Sequence, residues 1–145
     1  MKILRTPDEC FDNLEDYPFE PNYIDIEHDD QTLRMHYLDE NSESEEIVLL
    51  MHGEPTWSYL YRKIIPILVS NGKRVIAPDL IGFGKSDKPA SRDDYSYANH
   101  IMWVEILIKK LDLKNIIFFA QDWGGLIGLR LLAKYPDLYE GLVVS

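Results

Sequence analysis

One carboxylate, Asp122, stands where an apolar run gives way to a stretch with helical character. Residues 116–120 are apolar or small, and Gly124 and Gly125 follow the polar pair Gln121 and Asp122. A free carboxyl group has a pKa of about 4, so Asp122 is ionised at neutral pH without help from a base. A helix that begins at this point favours the anion further, because its first N–H groups are unpaired. Asp122 is therefore a candidate nucleophile that needs no base for its own ionisation.

The residues around Asp122 fit a tight turn from a strand into a helix. The pattern small-x-nucleophile-x-small is that of a nucleophile elbow, with Asp122 in the place that serine usually holds. Ala120 and Gly124 are small, as such a turn requires. An aspartate before an apolar helix is most often an N-cap, and that role is compatible with the nucleophilic one.

A second candidate segment, His52-Gly53-Glu54-Pro55-Thr56-Trp57, directly follows the apolar run 47–51. In an open parallel sheet, ligands bind beyond the carboxyl ends of the strands, so this loop and Asp122 are expected to share one crevice. A loop of this kind can direct a backbone N–H towards a developing oxyanion. The residue after the nucleophile, Trp123, would supply a second N–H.

The hydrophobic pattern predicts the elements that hold these segments. Residues 23–27 and 32–38 alternate between apolar and polar, which indicates two antiparallel strands half exposed to water. Further strands are predicted at 47–51, 74–77, 115–119 and 141–144. Helices are predicted through Leu60, Ile64 and Leu68, with Pro66 kinking or tightening the first of them, and over 101–111 and 126–133. The alternation of strand and helix predicts an α/β fold, a mostly parallel sheet with helices on both faces and an antiparallel N-terminal hairpin.

The composition narrows the function classes. The chain has 145 residues, 46% of them hydrophobic, which suits a single globular domain over residues 1–145. A net charge of −10 argues against nucleic acid and anionic membranes as partners. The N-terminus turns acidic before an apolar stretch develops, unlike a secretory signal, and no run reaches membrane-spanning length. With Cys10 as the single cysteine, a cytoplasmic location is expected.

No cofactor or metal site is predicted. The segment Gly82-Phe83-Gly84-Lys85-Ser86 superficially suggests phosphate binding, but the glycines that phosphate-binding loops need are replaced by Asp79 and Asp87. A negative charge at these places would repel phosphate. The four histidines are scattered and show no zinc-binding spacing.

Residues 52–62, 79–89 and 121–125 together resemble haloalkane dehalogenases of the α/β-hydrolase superfamily, in the branch whose first loop reads His-Gly-Glu-Pro. The resemblance covers essentially the whole chain. It implies hydrolysis of a small halogenated alkane by water to an alcohol, a halide ion and a proton, with no cofactor. It places the nucleophile at Asp122 and the oxyanion-hole N–H groups at Glu54 and Trp123. It also implies that the Trp123 indole N–H binds the departing halide.

The resemblance also implies parts that lie beyond Ser145: a base histidine, its acidic partner and a helical cap. The chain is therefore expected to be the N-terminal portion of such an enzyme, with the first half-reaction present and the base for the second absent. His52 is interpreted as a structural loop residue and His100 as a residue of the surface or of a helix face. Two alternatives stay open. One is an epoxide hydrolase or haloacid dehalogenase of the same fold, and the other is a non-catalytic fragment that self-associates through its exposed last strand.

Overall fold

The computed structural model describes residues 1–144, and in them eight strands and three α-helices alternate along the chain. The strands are β1 (Ile3–Leu4), β2 (Asn22–His28), β3 (Gln31–Glu40), β4 (Ile47–Met51), β5 (Arg74–Pro78), β6 (Lys88–Pro89), β7 (Ile116–Ala120) and β8 (Tyr139–Val144). The helices are α1 (Ile65–Ser70), α2 (Tyr97–Lys110) and α3 (Asp122–Lys134).

Six of the strands form one sheet in the order β2-β3-β5-β4-β7-β8. The β2–β3 and β3–β5 pairs are antiparallel, whereas β5–β4, β4–β7 and β7–β8 are parallel. The predicted α/β fold with an antiparallel N-terminal hairpin is confirmed. The pair Met51↔Ala120 sets the last residues of β4 and β7 side by side, so the loops that follow these strands leave the sheet together.

Both faces of the sheet are covered by apolar packing. Every residue of β4 is buried, as its unbroken apolar sequence predicts for a strand between two layers. On one face, residues of β4 and β7 pack with α2 and α3, for example Leu49, Phe118 and Ile127. On the other face, Val48 and Leu50 pack with Ile65 at the start of α1. β7, which leads to Asp122, is held in the same way, because Phe118 lies in the first of these layers and Phe119 packs against the second.

The first helix differs from its prediction. Residues Ser58–Tyr61 form a 3₁₀ turn, and α1 begins only at Ile65. Pro66 lies in the first turn of α1, where its missing N–H has no intrahelical partner to lose and its fixed φ suits the helix. The helix predicted through Leu60, with Pro66 kinking or tightening it, begins later than predicted, because Pro66 lies in the first turn of α1.

The long loop between β5 and α2 is ordered by its contacts with the N-terminus. It contains β6, which pairs antiparallel with β1, and a 3₁₀ turn at Arg92–Asp94. Helix α2 then begins after Ser96, whose Oγ accepts a hydrogen bond from the N–H of Asn99 at 3.0 Å. Among residues 1–144, no helix is long and apolar enough to cross a membrane. The cytoplasmic location stays a prediction.

Candidate active site

Asp122 lies at the apex of a sharp turn between β7 and α3. Its φ of 51° places a residue other than glycine in the left-handed region, whereas Gln121 before it is extended. Residues in such a conformation persist where the surrounding structure holds them, and they concentrate at functional sites. The turn predicted from the small residues around Asp122 is therefore present as a strained elbow at the carboxyl end of β7.

Two glycines of α3 let the helix lie directly on the strands. A Cβ atom at Gly124 would stand 2.5 Å from the carbonyl oxygen of His52, and one at Gly128 would overlap the ring of Phe118. Both approaches are closer than real Cβ contacts, so neither glycine can be replaced by a larger residue unless the backbone or the core shifts. Gly124 thereby fixes the first turn of α3, and with it Asp122, against the end of β4.

The loop after β4 reaches the elbow. The backbone N–H of Glu54 donates a hydrogen bond to Oδ1 of Asp122, with an N···O distance of 2.8 Å. Gly53 passes so close that a Cβ atom there would overlap the Asp122 side chain and lie 2.8 Å from its Cγ. The shared crevice predicted from the strand ends is present, and it brings Glu54, Asp122 and Trp123 together.

The backbone around Asp122 favours its charged form. The N–H groups of Trp123 and Glu54 face the carboxylate and lower the pKa of Asp122 below its ordinary value of 3.8, against a small opposing effect of burial. The side chain is exposed to solvent. Asp122 is thus an accessible carboxylate that stays ionised into mildly acidic solution.

Trp123 occupies the first turn of α3 beside the nucleophile. Its side chain is 40% exposed, and its ring lies 6.3 Å from that of Tyr97, centroid to centroid. Trp123 is therefore exposed beside the Asp122 carboxylate, whereas Trp103 is fully buried in the core of the protein. The exposure leaves the Trp123 indole free to meet a ligand.

A cavity of about 580 Å³ opens beside the elbow. Gly53, Glu54 and Trp123 form one part of its wall. The rest comes from the long loop after β5, from the start of α2 and from α3: Leu80, Gly82, Phe83, Arg92, Tyr95, Ser96, Tyr97, His100 and Ile127. This second part of the wall was not predicted from the sequence. The rule that ligands lie beyond parallel strand ends would have included the loop after β5 as well.

The histidines make their contacts with residues other than Asp122. Within residues 1–144, none of them hydrogen-bonds Asp122. His28 accepts a hydrogen bond from the Trp103 indole N–H at 3.3 Å, and His36 contacts Asp79 at 2.8 Å. His100, predicted on the surface or a helix face, lies on α2 and lines the cavity, and burial lowers its pKa to about 4. It is therefore neutral at physiological pH.

His52 is buried between two loops of the site. Its Nε2 lies 2.9 Å from the N–H of Leu80, which can only donate, so Nε2 is the acceptor. The proton is then on Nδ1, 2.9 Å from the carbonyl oxygen of Gly53. Burial lowers the pKa of His52 and keeps the ring neutral. The interpretation of His52 as a loop residue agrees with these contacts.

Asp79 organises the loops behind the cavity. Its fully buried carboxylate accepts hydrogen bonds from the N–H groups of Ser58 and Lys85, each at 2.8 Å, and contacts Nδ1 of His36. Burial alone would raise its pKa, but the His36 and Lys85 contacts outweigh it and keep the pKa below the ordinary value. Asp87 similarly accepts hydrogen bonds from the Arg5 guanidinium at 2.7 and 2.9 Å. The two aspartates that replace the glycines of a phosphate-binding loop thus hold this segment in place.

Comparison with known proteins gives consistent matches. A family model described as the alpha/beta hydrolase fold matches residues 46–145. A haloalkane dehalogenase of Psychrobacter cryohalolentis is 60% identical over 140 residues, which is 96% of this chain and 46% of that protein. The chain thus spans about half the length of the curated relatives it matches.

Solved structures agree with the sequence matches. A tetrameric haloalkane dehalogenase from Paraglaciecola agarilytica superposes with a TM-score of 0.92 and 48% identity, over 98% of this chain and 48% of that one. An epoxide hydrolase mutant from Vigna radiata superposes with a TM-score of 0.73 and 30% identity, over 86% of this chain and 38% of that one. The resemblance read from the sequence is confirmed.

Proposed function

The chain belongs to the α/β-hydrolase family, and from that premise we propose that it carries out the dehalogenation of haloalkanes, with Asp122 as the nucleophile. The observation that carries the proposal is the Asp122 carboxylate at the elbow, with Oδ1 held 2.8 Å from the Glu54 N–H and the Trp123 indole beside it. The similarity to haloalkane dehalogenases supports the same reaction. The substrate would be a small halogenated alkane, and the reaction needs no cofactor.

In the first half-reaction, the free oxygen of Asp122, Oδ2, attacks the carbon that bears the halogen. A carbon–oxygen bond forms, the carbon–halogen bond breaks, and the halide leaves with the bonding electrons. A halide is a weakly basic anion, so its departure needs a hydrogen-bond donor and no general acid. The Trp123 indole N–H is the donor proposed for the halide. The product is an alkyl ester on Asp122.

In the second half-reaction, water attacks Cγ of the ester, and negative charge develops on Oδ1. The N–H groups of Glu54 and Trp123 lie where they stabilise this oxyanion. The attacking water must lose a proton to a base. No histidine among residues 1–144 hydrogen-bonds Asp122, so we propose that these residues by themselves form the ester and do not hydrolyse it.

Mass spectrometry after incubation with 1-bromobutane tests this mechanism. We expect one bromide released per chain and a butyl adduct that maps to Asp122. Asp122→Asn should form no adduct, whereas Asp137→Asn, a change of another exposed aspartate, should react as the parent does. An adduct on the Asp122→Asn protein would overturn the assignment of the nucleophile. Repeated turnover would overturn the proposal that the ester is retained.

The similarity to an epoxide hydrolase makes epoxide opening the second candidate. That reaction also uses an aspartate at the elbow, but it needs an acid to protonate the leaving oxygen. The cavity contains two tyrosines, and both hydroxyl groups donate elsewhere: Tyr95 to the carbonyl of Pro89 at 2.9 Å and Tyr97 to that of Leu126 at 2.8 Å. These contacts favour the haloalkane. Adduct formation with styrene oxide at a rate above that with 1-bromobutane would reverse this preference.

A non-catalytic property is proposed for the last strand. β8 is the outer strand of the sheet beyond β7, and three of its apolar side chains, Leu142, Val143 and Val144, are 46%, 47% and 50% exposed. A strand with an unpaired edge and apolar side chains favours pairing with another chain. We propose that the isolated chain self-associates through β8.

A further inference from the structure

The peptide unit between Gly53 and Glu54 is held at both of its ends. On one side, the Glu54 N–H donates to Oδ1 of Asp122 at 2.8 Å. On the other, the Gly53 carbonyl oxygen accepts three hydrogen bonds: from Nδ1 of His52 at 2.9 Å, from the N–H of Thr56 at 3.1 Å and from Oγ1 of Thr56 at 3.0 Å. Three donors thus converge on one carbonyl oxygen of a buried glycine.

The geometry of the peptide bond connects the two ends. The unit is planar, and in a trans peptide the C=O and N–H bonds point in opposite directions. A group that fixes the direction of the Gly53 carbonyl therefore also fixes the direction of the Glu54 N–H. A loop without these contacts could rotate the unit and turn the N–H away from Asp122.

His52 is itself held so that it can only donate to this carbonyl. Leu80, in the segment after β5, occupies the Nε2 atom of the ring, and the edge of the ring packs against Phe83 with centroids 5.4 Å apart. The ring is fully buried. The segment after β5 therefore fixes the His52 ring, and the ring in turn fixes the peptide unit next to Asp122.

We propose that His52 and Thr56 are positioning residues, which aim the Glu54 N–H at Oδ1 of Asp122 through their hydrogen bonds to the Gly53 carbonyl. The catalytic consequence rests on the proposed function. Charge on Oδ1 increases when a nucleophile attacks the ester, so these two residues act mainly on ester cleavage. They act little on the alkylation step, in which Oδ1 loses charge.

A direct test measures the ionisation of Asp122 itself by carbon-13 NMR titration of its carboxyl group, with the Asp122→Asn protein to assign the signal. Thr56→Val removes the hydroxyl donor and keeps the shape of the side chain, and His52→Phe removes the ring donor. Both variants should raise the pKa of Asp122 towards its ordinary value, because the Glu54 N–H no longer points steadily at the carboxylate. Thr56→Ser keeps the hydroxyl group and should restore the parent pKa.

A second test uses the butyl ester of Asp122 and hydroxylamine. Hydroxylamine attacks Cγ, places negative charge on Oδ1, expels butanol and leaves a hydroxamate, so the reaction needs no base from the protein. Loss of one aligned hydrogen bond should slow the cleavage roughly twofold to tenfold in Thr56→Val, with Thr56→Ser close to the parent. The rate of alkylation should change less than the rate of cleavage.

The two tests separate this inference from the proposed function. If 1-bromobutane gives no ester, the proposed function fails, and the titration still decides the positioning role. An unchanged pKa of Asp122 in a folded Thr56→Val protein, with hydroxylamine cleavage as fast as in the parent, would overturn the inference. If His52→Phe does not fold, Thr56→Val and Thr56→Ser give the answer by themselves.

Discussion

An aspartate in place of a serine changes what the elbow requires from the rest of the protein. A serine hydroxyl needs a base before it can attack, whereas a carboxylate is already charged at neutral pH. In the proposed first step, the groups that Asp122 uses are local: its own ionised carboxylate and the indole N–H of Trp123 as the donor for the halide. We therefore expect ester formation on Asp122 to proceed with residues of the described part of the chain.

The lowered pKa of Asp122 predicts how alkylation depends on pH. The carboxylate is the reactive form, and its pKa lies below the ordinary 3.8. The rate of adduct formation with 1-bromobutane should therefore be constant from neutral pH to about pH 5 and fall only as the pH passes below the ordinary value. Initial rates from mass spectrometry would measure this profile, with circular dichroism as the control for folding at each pH. A decrease centred above pH 5 would contradict it.

Trp123 should report on halide binding through its fluorescence. If its indole N–H holds the halide, bromide should quench the emission of the parent protein in a saturable way. Trp123→Phe keeps an aromatic side chain but lacks the N–H, and its affinity for bromide should fall by roughly tenfold or more, the effect of a lost hydrogen bond to a charged group. Trp57→Phe is the control, since Trp57 packs among Phe11, Tyr17 and Tyr59 away from the elbow. Equal quenching of all three proteins would exclude Trp123 as the halide ligand.

An added methyl group at Gly124, where α3 meets β4, should destabilise the protein, whereas the same methyl group at the neighbouring Gly125 should not. In Gly124→Ala, the new Cβ would meet the His52 carbonyl oxygen at 2.5 Å, so we expect a loss of about 1–3 kcal/mol of folding free energy. In Gly125→Ala, the new Cβ would lie 3.7 Å from Cγ1 of Val144, an ordinary van der Waals contact, and alanine favours the helix by up to about 1 kcal/mol. Urea denaturation of the two variants measures the difference.

The same pair should differ in reactivity. Because Gly124 fixes the turn that carries Asp122, Gly124→Ala should also slow adduct formation, and Gly125→Ala should react as fast as the parent. If Gly124→Ala were as stable and as reactive as Gly125→Ala, the close approach of α3 to β4 would not be what holds the elbow.

Elements with an unambiguous hydrophobic pattern were predictable. The apolar run of β4 matches the structure at both ends, and the alternating segments of β2 and β3 form the expected antiparallel hairpin. Ends of helices were less predictable. Helix α3 begins at Asp122, before the apolar residues that indicated it, because the polar and small residues of the elbow already have helical hydrogen bonding.

The site was predictable only where it follows local sequence. Asp122, Glu54 and Trp123, the residues proposed as nucleophile and N–H donors, follow strand ends, and strand ends are visible in the hydrophobic pattern. The cavity wall from Phe83 to His100 and the contacts of Asp79 depend on how a long loop folds back over the sheet. The hydropathy pattern does not predict such a path, because it does not distinguish an aspartate that is buried in the fold from one that is exposed.

The sheet as a whole is unevenly covered. Its central strands, β4 and β5, are buried on both faces, whereas β8 at one side has exposed apolar residues. β2, at the other side of the sheet, mixes exposed polar residues such as Asp25 and Glu27 with its buried ones, which discourages pairing along that side. The two outer strands of the described residues therefore differ in exposed apolar surface, which is the basis for the association proposed for β8.

Sedimentation velocity over a range of protein concentrations would test this difference. For the isolated chain, we expect the average sedimentation coefficient to rise with concentration, because Leu142, Val143 and Val144 are exposed on an outer strand. Val143→Lys places a charge on that strand and should shift the protein towards the monomer. Ile67→Lys changes an apolar residue that is 60% exposed on α1, outside this strand, and should associate like the parent. Equal effects of the two lysines would mean that exposed apolar area in general, and no particular strand, drives the association.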